Sequence, residues 1–200
     1  MGSIPTASTN PVTRTPTMDA NSSTAVLFDF GGTLDADGLA WKERVYRLFR
    51  DEGVAVERER FDPRFHAADD ALGHLGDNTP LLRRLARHAR LGIVSNFYGN
   101  LARVCDDAGI RPLFSVLVDS AHVGWAKPEP RIFLHALDAL GLGPADATFV
   151  GDSPSRDMAG ARAVGMRHIW LVSATAPAQD PCCRGDRVIH SLKDLGALLQ

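Results

Sequence analysis

Cysteine is scarce in this sequence: Cys105, Cys182 and Cys183 are the only three in 200 residues, and two of them are adjacent. An odd, clustered set excludes the disulfide framework of a small secreted domain and fits a reducing cytoplasm. Cys182 and Cys183 have no further cysteine or histidine at metal-ligand spacing and read as ordinary structural residues. Net charge is nearly absent as well, −2 at pH 7. So balanced a chain has no electrostatic reason to bind nucleic acid or an anionic membrane surface. No apolar run reaches the roughly 20 residues that span a bilayer. Residues 1–23 lack the basic-then-apolar order of a secretory signal. Lysine is rare too, with Lys42, Lys127 and Lys193 the whole complement.

What the chain does have is apolar content, 44% of residues, enough for one good core and a single domain with a small insert. Residues 1–23, rich in Ser, Thr, Pro and Asn, are expected to form a disordered leader. Strands are predicted at residues 25–29, 91–95, 114–118, 147–151 and 168–172. Helices are predicted between them at 101–108, 130–140 and 154–164, closed by Gly109, Gly141 and Gly165. Thr79 is predicted to cap a helix with Pro80 in its first turn. The arginines that follow, Arg83, Arg84, Arg87 and Arg90, read as its solvated face. Helical spacing at 39–51 and again between 54 and 78 marks an insert of about forty residues. After residue 173 a proline-containing loop leads to Val188 and Ile189 and a terminal helix at 192–199. Strands alternating with helices imply a three-layer α/β domain, a parallel sheet doubly wound by helices.

Chemistry is expected where the first strand ends. The run Val26-Leu27-Phe28 delivers Asp29 to the carboxyl edge of the sheet, and Gly31 and Gly32 then let backbone groups approach a ligand closely. Asp152 and Asp157 follow the fourth strand, where acidic side chains also suit the start of a helix. Were the fold to bring them beside Asp29, they would make a set of oxygens suited to a hard cation. Lys127, before Pro128 in a loop, lies off any charged helical face.

Four segments in order carry a resemblance. Residues 26–35 (VLFDFGGTLD), Ile93-Val94-Ser95-Asn96, Lys127-Pro128 and Val150-Gly151-Asp152-Ser153-Pro154-Ser155-Arg156-Asp157 resemble the four motifs of the haloacid dehalogenase-like hydrolase superfamily. The resemblance covers residues 25–172 and implies a Rossmannoid core at 24–38 and 79–200, with a small helical cap at 39–78. It places the first strand between the second and the fourth. It further implies a Mg²⁺-dependent phosphatase acting on a small phosphorylated molecule. In that role Asp29 is the nucleophile, and Lys127 and Ser95 offset charge on the phosphoryl group. Gly32, Thr33 and Asn96 would contact substrate, and Asp29, Asp152, Asp157 and the carbonyl of Gly31 would hold the metal.

One position departs from the pattern. Phosphatases similar to this chain carry a second aspartate, an acid and base, two residues after the nucleophile; here Gly31 stands there. His66, His74 or Asp35 could substitute, although the histidines read as surface residues and Asp35 and Asp37 as turn residues. Dehalogenation needs no such acid, but its metal-free chemistry gives no reason to gather Asp152 and Asp157 around Asp29. Phosphonate hydrolysis would need a cap lysine, for which Lys42 is the candidate. A binding or regulatory module with weak turnover is the alternative outside enzymology.

Overall fold

Six short apolar segments pair into one sheet in the computed structural model, which describes residues 24–35, 68–174 and 187–198. The strands are β1 (Ala25–Phe28), β2 (Arg90–Ser95), β3 (Phe114–Asp119), β4 (Ala147–Gly151), β5 (Arg167–Leu171) and β6 (Arg187–Ile189). They lie in the order β3-β2-β1-β4-β5-β6, and every neighbouring pair is parallel. From β1 the chain winds outward through β2 and β3, then crosses back to β4 on the other side. The direction of winding therefore switches between β1 and β4. In an open α/β sheet, ligands bind in the crevice outside the strand ends at such a switch.

Both faces of a parallel sheet must be covered, because its connections are helices. The helices are α1 (Ala68–Leu85), α2 (Leu101–Asp107), α3 (Ser120–Val123), α4 (Pro130–Leu140), α5 (Ala159–Ala163) and α6 (Leu195–Leu198). Alternation along β1 splits the core. Val26 and Phe28 pack with Leu75, Leu82, Leu101 and Leu195, whereas Ala25 and Leu27 pack with Ile132, Phe133, Leu137 and Met158. Each fully buried Leu, Ile or Phe stabilises the fold by about 1.5–3 kcal/mol. The expected three-layer α/β architecture and the central place of β1 are both found, and the segment at Val188 and Ile189 pairs with β5.

The structure corrects two local expectations. Residues 68–85 form one continuous helix with Pro80 inside it, so Thr79 caps nothing. Its hydroxyl donates instead to the carbonyl of Leu75, one turn back, at 2.7 Å. Arg90 is not on that helix but begins β2, and its Nη1 donates to the carbonyl of Leu140 at 2.6 Å. α4 ends as expected at Gly141, whose φ of 63° suits glycine and whose N–H returns to the carbonyls of Leu137 and Asp138. The predicted leader at 1–23 lies outside the described residues. So does the predicted cap up to residue 67, with Asp37, Lys42 and His66; residues 68–78 form the first part of α1. Among the described residues no helix is long and apolar enough to cross a membrane.

Packing of α5 on α4 sets where the loop carrying Lys127 sits. A Cβ at Gly160 would overlap the ring of Phe133 and lie 3.2 Å from the carbonyl oxygen of Pro128. Phe133 packs edge-on against Phe149 at 5.1 Å, and the ammonium of Lys127 lies 5.4 Å from the centre of the Phe149 ring. Gly160→Ala is expected to overpack this contact and destabilise the protein by about 1–3 kcal/mol. Urea denaturation checks it, as a lower midpoint at an unchanged slope.

Candidate active site

Asp29 is the first residue past β1, and its N–H donates to the carbonyl of Val150 at 2.8 Å, which fastens it to the end of β4. The chain then turns through Phe30–Leu34. Gly32 has φ 89°, and a Cβ there would collide with the carboxylate of Asp152. Glycine is thus required at 32 by backbone and by space. Gly31 differs: its φ is −75° and ψ 116°, and a Cβ there would meet nothing within 4 Å. Asp35 closes the turn by accepting from the N–H of Gly32 at 2.5 Å, and Asn78 of α1 donates to the carbonyl of Leu34 at 2.9 Å.

Side chains from the ends of β1, β2 and β4 and from the loop before α4 meet at Asp29. Ser95, the last residue of β2, donates from Oγ to Asp29 Oδ1 at 2.9 Å. Lys127 Nζ reaches the same Oδ1 at 2.5 Å and Asp157 Oδ1 at 2.7 Å. Asp157 in turn accepts from the N–H of Ser153 at 2.9 Å through Oδ2, which ties down the loop after β4. Asp29, Ser95, Lys127 and Asp157 are all buried, none more than 6% exposed. Asp152 sits beside them, and its carbonyl accepts from Trp170 Nε1 at 3.0 Å on β5.

So much charge out of water shifts equilibria. Burial opposes the charge on Lys127, but Asp157 and Asp29 outweigh it and hold the amine above the usual lysine range. Burial, then Asp29 and Asp157, push the Asp152 carboxyl up to about 8, against relief from Lys127 and Arg156. Asp157 is raised as well, chiefly by burial. One ammonium among three carboxylates leaves the cluster short of positive charge. Asp29, Asp152 and Asp157 can each bring one oxygen within 4.8 Å of the others. Asp152 Oδ1 is buried without a hydrogen-bond partner among the described residues. An orphaned carboxylate oxygen within an all-oxygen donor set fits a hard divalent cation.

Of the remaining predicted residues, Asn96 is engaged with Lys127: its Oδ1 accepts from the Lys127 N–H at 2.7 Å and its Nδ2 donates to the Lys127 carbonyl at 3.0 Å. Thr33 is buried within the turn, with Oγ1 lacking a hydrogen-bond partner among the described residues. His74 belongs to α1, with its side chain outside the described set. Sequence reasoning missed Asp119 and Ser120. Asp119, at the end of β3, accepts from the N–H groups of Gly99 at 2.8 Å, Leu101 at 3.3 Å and Ala121 at 3.0 Å. Ser120 Oγ accepts from the N–H of Phe97 at 3.1 Å and donates to its carbonyl at 3.2 Å. Together they fix the loop that leaves Ser95. The available signal was a carboxylate closing the third apolar run, as Asp29 closes the first.

A carboxylate held between a hydroxyl and a lysine thus lies at the switch point of a doubly wound sheet. A family model of haloacid dehalogenase-like hydrolases matches residues 41–165, and the chain belongs to that family. It is 42% identical over 115 residues to the bovine (Bos taurus) haloacid dehalogenase-like hydrolase domain-containing protein 3, covering 56% of this chain and 45% of that protein. It is 32% identical over 169 residues to a phosphoglycolate phosphatase of Chromobacterium violaceum, covering 83% of this chain and 69% of that one. The fold superposes on the crystal structure of a HAD phosphatase from Thermococcus onnurineus with a TM-score of 0.64 and 27% identity, over 88% of this chain and 97% of that one. The chain therefore spans less than half of the bovine relative and about two thirds of the bacterial one.

The charge excess predicts opposite effects for two neighbours. Lys127→Ala strands buried carboxylates and is expected to destabilise the protein by about 3–5 kcal/mol. Asp152→Asn removes a carboxyl that ionises freely only in the unfolded chain and is expected to stabilise the metal-free protein at neutral pH. Because the folded-state pKa of Asp152 is raised from 3.8 to about 8, the folded protein holds a proton that the unfolded chain has lost. Its contribution is full below about 4 and is lost as pH rises to about 8. Chemical denaturation of metal-free protein across that range is expected to show falling stability for wild type and a flatter profile for Asp152→Asn.

Proposed function

We propose that this protein is a Mg²⁺-dependent phosphohydrolase of the cytoplasm that transfers the phosphoryl group of a small phosphorylated molecule to Asp29 and then to water. The observation that carries the reading is the convergence of Ser95 Oγ and Lys127 Nζ on Asp29 Oδ1, at 2.9 and 2.5 Å. Those two donors orient the carboxylate and stand where negative charge gathers on a phosphoryl group during in-line attack. The names of the relatives, a phosphoglycolate phosphatase and a HAD phosphatase, point the same way.

Asp29 supplies the attacking oxygen. Lys127, held by Asp157 and by the side chain of Asn96, offsets charge on the transferring group, and the Ser95 hydroxyl donates to another of its oxygens. Asp29, Asp152, Asp157 and the Gly31 carbonyl would hold Mg²⁺, whose bound charge favours the phosphate as ligand and lowers the electrostatic cost of bringing it beside Asp29. Gly32 and Thr33 in the turn would contact the substrate. The carboxylate group disfavours metal-free dehalogenation, in which three neighbouring acids would oppose one another's ionisation. A purely binding module has no use for a lysine buried against the attacking carboxylate.

Asp29→Asn is expected to abolish phosphate release from a panel of phosphate monoesters and acyl phosphates in Mg²⁺, a loss of at least about 10³-fold. Halide release without metal, or release that survives Asp29→Asn, would sink the proposal. In thermal unfolding, Mg²⁺ is expected to raise the midpoint of wild type and not that of Asp152→Asn, since binding to the folded state alone stabilises it.

A further inference from the structure

Resting on the phosphoryl-transfer reading, we infer that the site selects substrates by their leaving group: it takes those whose leaving oxygen departs as a stabilised anion, such as acyl phosphates and phosphates of acidic hydroxyls. The inference comes from where protons are held around Asp29. Among the described residues, the donors on its carboxylate are Ser95 and Lys127, and both are bonded to Oδ1. In the phosphoryl-transfer reading both serve the transferring group and neither the leaving oxygen. Asp152 and Asp157 belong to the carboxylate group that must be deprotonated to hold a cation. Asp35 is turned back on the chain, accepting from Gly32 N–H.

Gly31 is the position beside Asp29 that a further side chain could occupy. It lies two residues past Asp29 in the same turn and is only half buried. A Cβ there meets nothing within 4 Å, and its φ of −75° is open to any residue. Neither strain nor crowding requires glycine, in contrast to Gly32, whose φ of 89° and contact with Asp152 both do. Position 31 therefore has room for an acidic side chain and carries none.

The chemistry follows in two balanced steps. A bond forms from an Asp29 oxygen to phosphorus while the bond from phosphorus to the leaving oxygen breaks, and that electron pair leaves on the oxygen with no proton added. Water then attacks phosphorus, the bond to Asp29 breaks with its electrons returning to the carboxylate, and the proton of the water passes to solvent. A carboxylate, a phosphate or an acidic phenolate tolerates the first step; an alkoxide does not. A positioned general acid is worth roughly 10²–10⁴ in rate where the leaving group needs protonation, which sets the size of the discrimination.

The test is a series run in Mg²⁺ on the full chain. It comprises acetyl phosphate, aryl phosphates from nitro-substituted to unsubstituted phenol, and a primary alkyl phosphate, with kcat/KM compared against leaving-group pKa. Wild type is expected to show a steep fall along the series. Gly31→Asp is expected to raise the alkyl phosphate rate by about 10²-fold or more and flatten the fall, as a restored acid would; Gly31→Asn, equal in size and unable to give up a proton, is expected to keep the slope steep. A shallow wild-type slope would mean that another group protonates the leaving oxygen and would overturn the inference while leaving the phosphohydrolase reading intact. That slope decides the matter even if the aspartate variant fails to fold. No phosphate release from any member would overturn the phosphohydrolase reading and this inference together.

Discussion

The ammonium of Lys127 wedged between Asp29 and Asp157 is the interaction on which the site depends. Two carboxylates that close would repel each other out of water; a buried cation 2.5 Å from one and 2.7 Å from the other reverses the sign. The arrangement is costly, since each ion has given up its hydration, and such clusters survive only where hydrogen bonds meet the remaining valences. Here they do: Ser95 meets Asp29, Ser153 meets Asp157, and Asn96 holds the Lys127 backbone. What the cluster does not balance is the charge Asp152 would carry: burial, then Asp29 and Asp157, push its carboxyl up, and a bound cation would favour the ionised form.

Sheet topology makes the cluster possible. Residues nearly a hundred positions apart, such as Asp29 and Lys127, meet because β1 lies between β2 and β4 and because the parallel strands all end at one edge. Backbone pairing sets where each residue emerges: Phe28 lies opposite Ile93 on one side and Val150 on the other, so Asp29, Ser95 and Asp152 emerge together. Tight glycines let them close up. At Gly32 and at Gly151 a side chain would strike Asp152 and Asp157 respectively.

Much of this was legible beforehand, for physical reasons that differ by residue. The strand cores around Leu27, Ile93 and Phe149 are uninterrupted apolar runs, which is how strands buried on both faces announce themselves. Asp29, Lys127 and Asp152 stood out as charges in segments with no solvated face to hold them. Strand order was not in the periodicity and came from the resemblance. Thr79 and Pro80 were misread because a threonine before proline looks the same at a helix start and within a helix, and only the packing of Leu75 and Leu82 in one core shows the helix passing through. Asp119 and Ser120 escaped notice because their partners, Gly99, Leu101 and Phe97, lie about twenty residues away across a strand pairing. Nothing local distinguishes such residues from ordinary polar ends of a strand.

A covalent trap is the most direct measurement of the central claim, that Asp29 receives the phosphoryl group. Protein mixed with acetyl phosphate and Mg²⁺, quenched in acid within the first turnover and digested, is expected to carry one added phosphoryl mass on the peptide containing Asp29, reduced to homoserine by borohydride, and none in Asp29→Asn. Phosphate released with no such adduct, or an adduct on another residue, would contradict it.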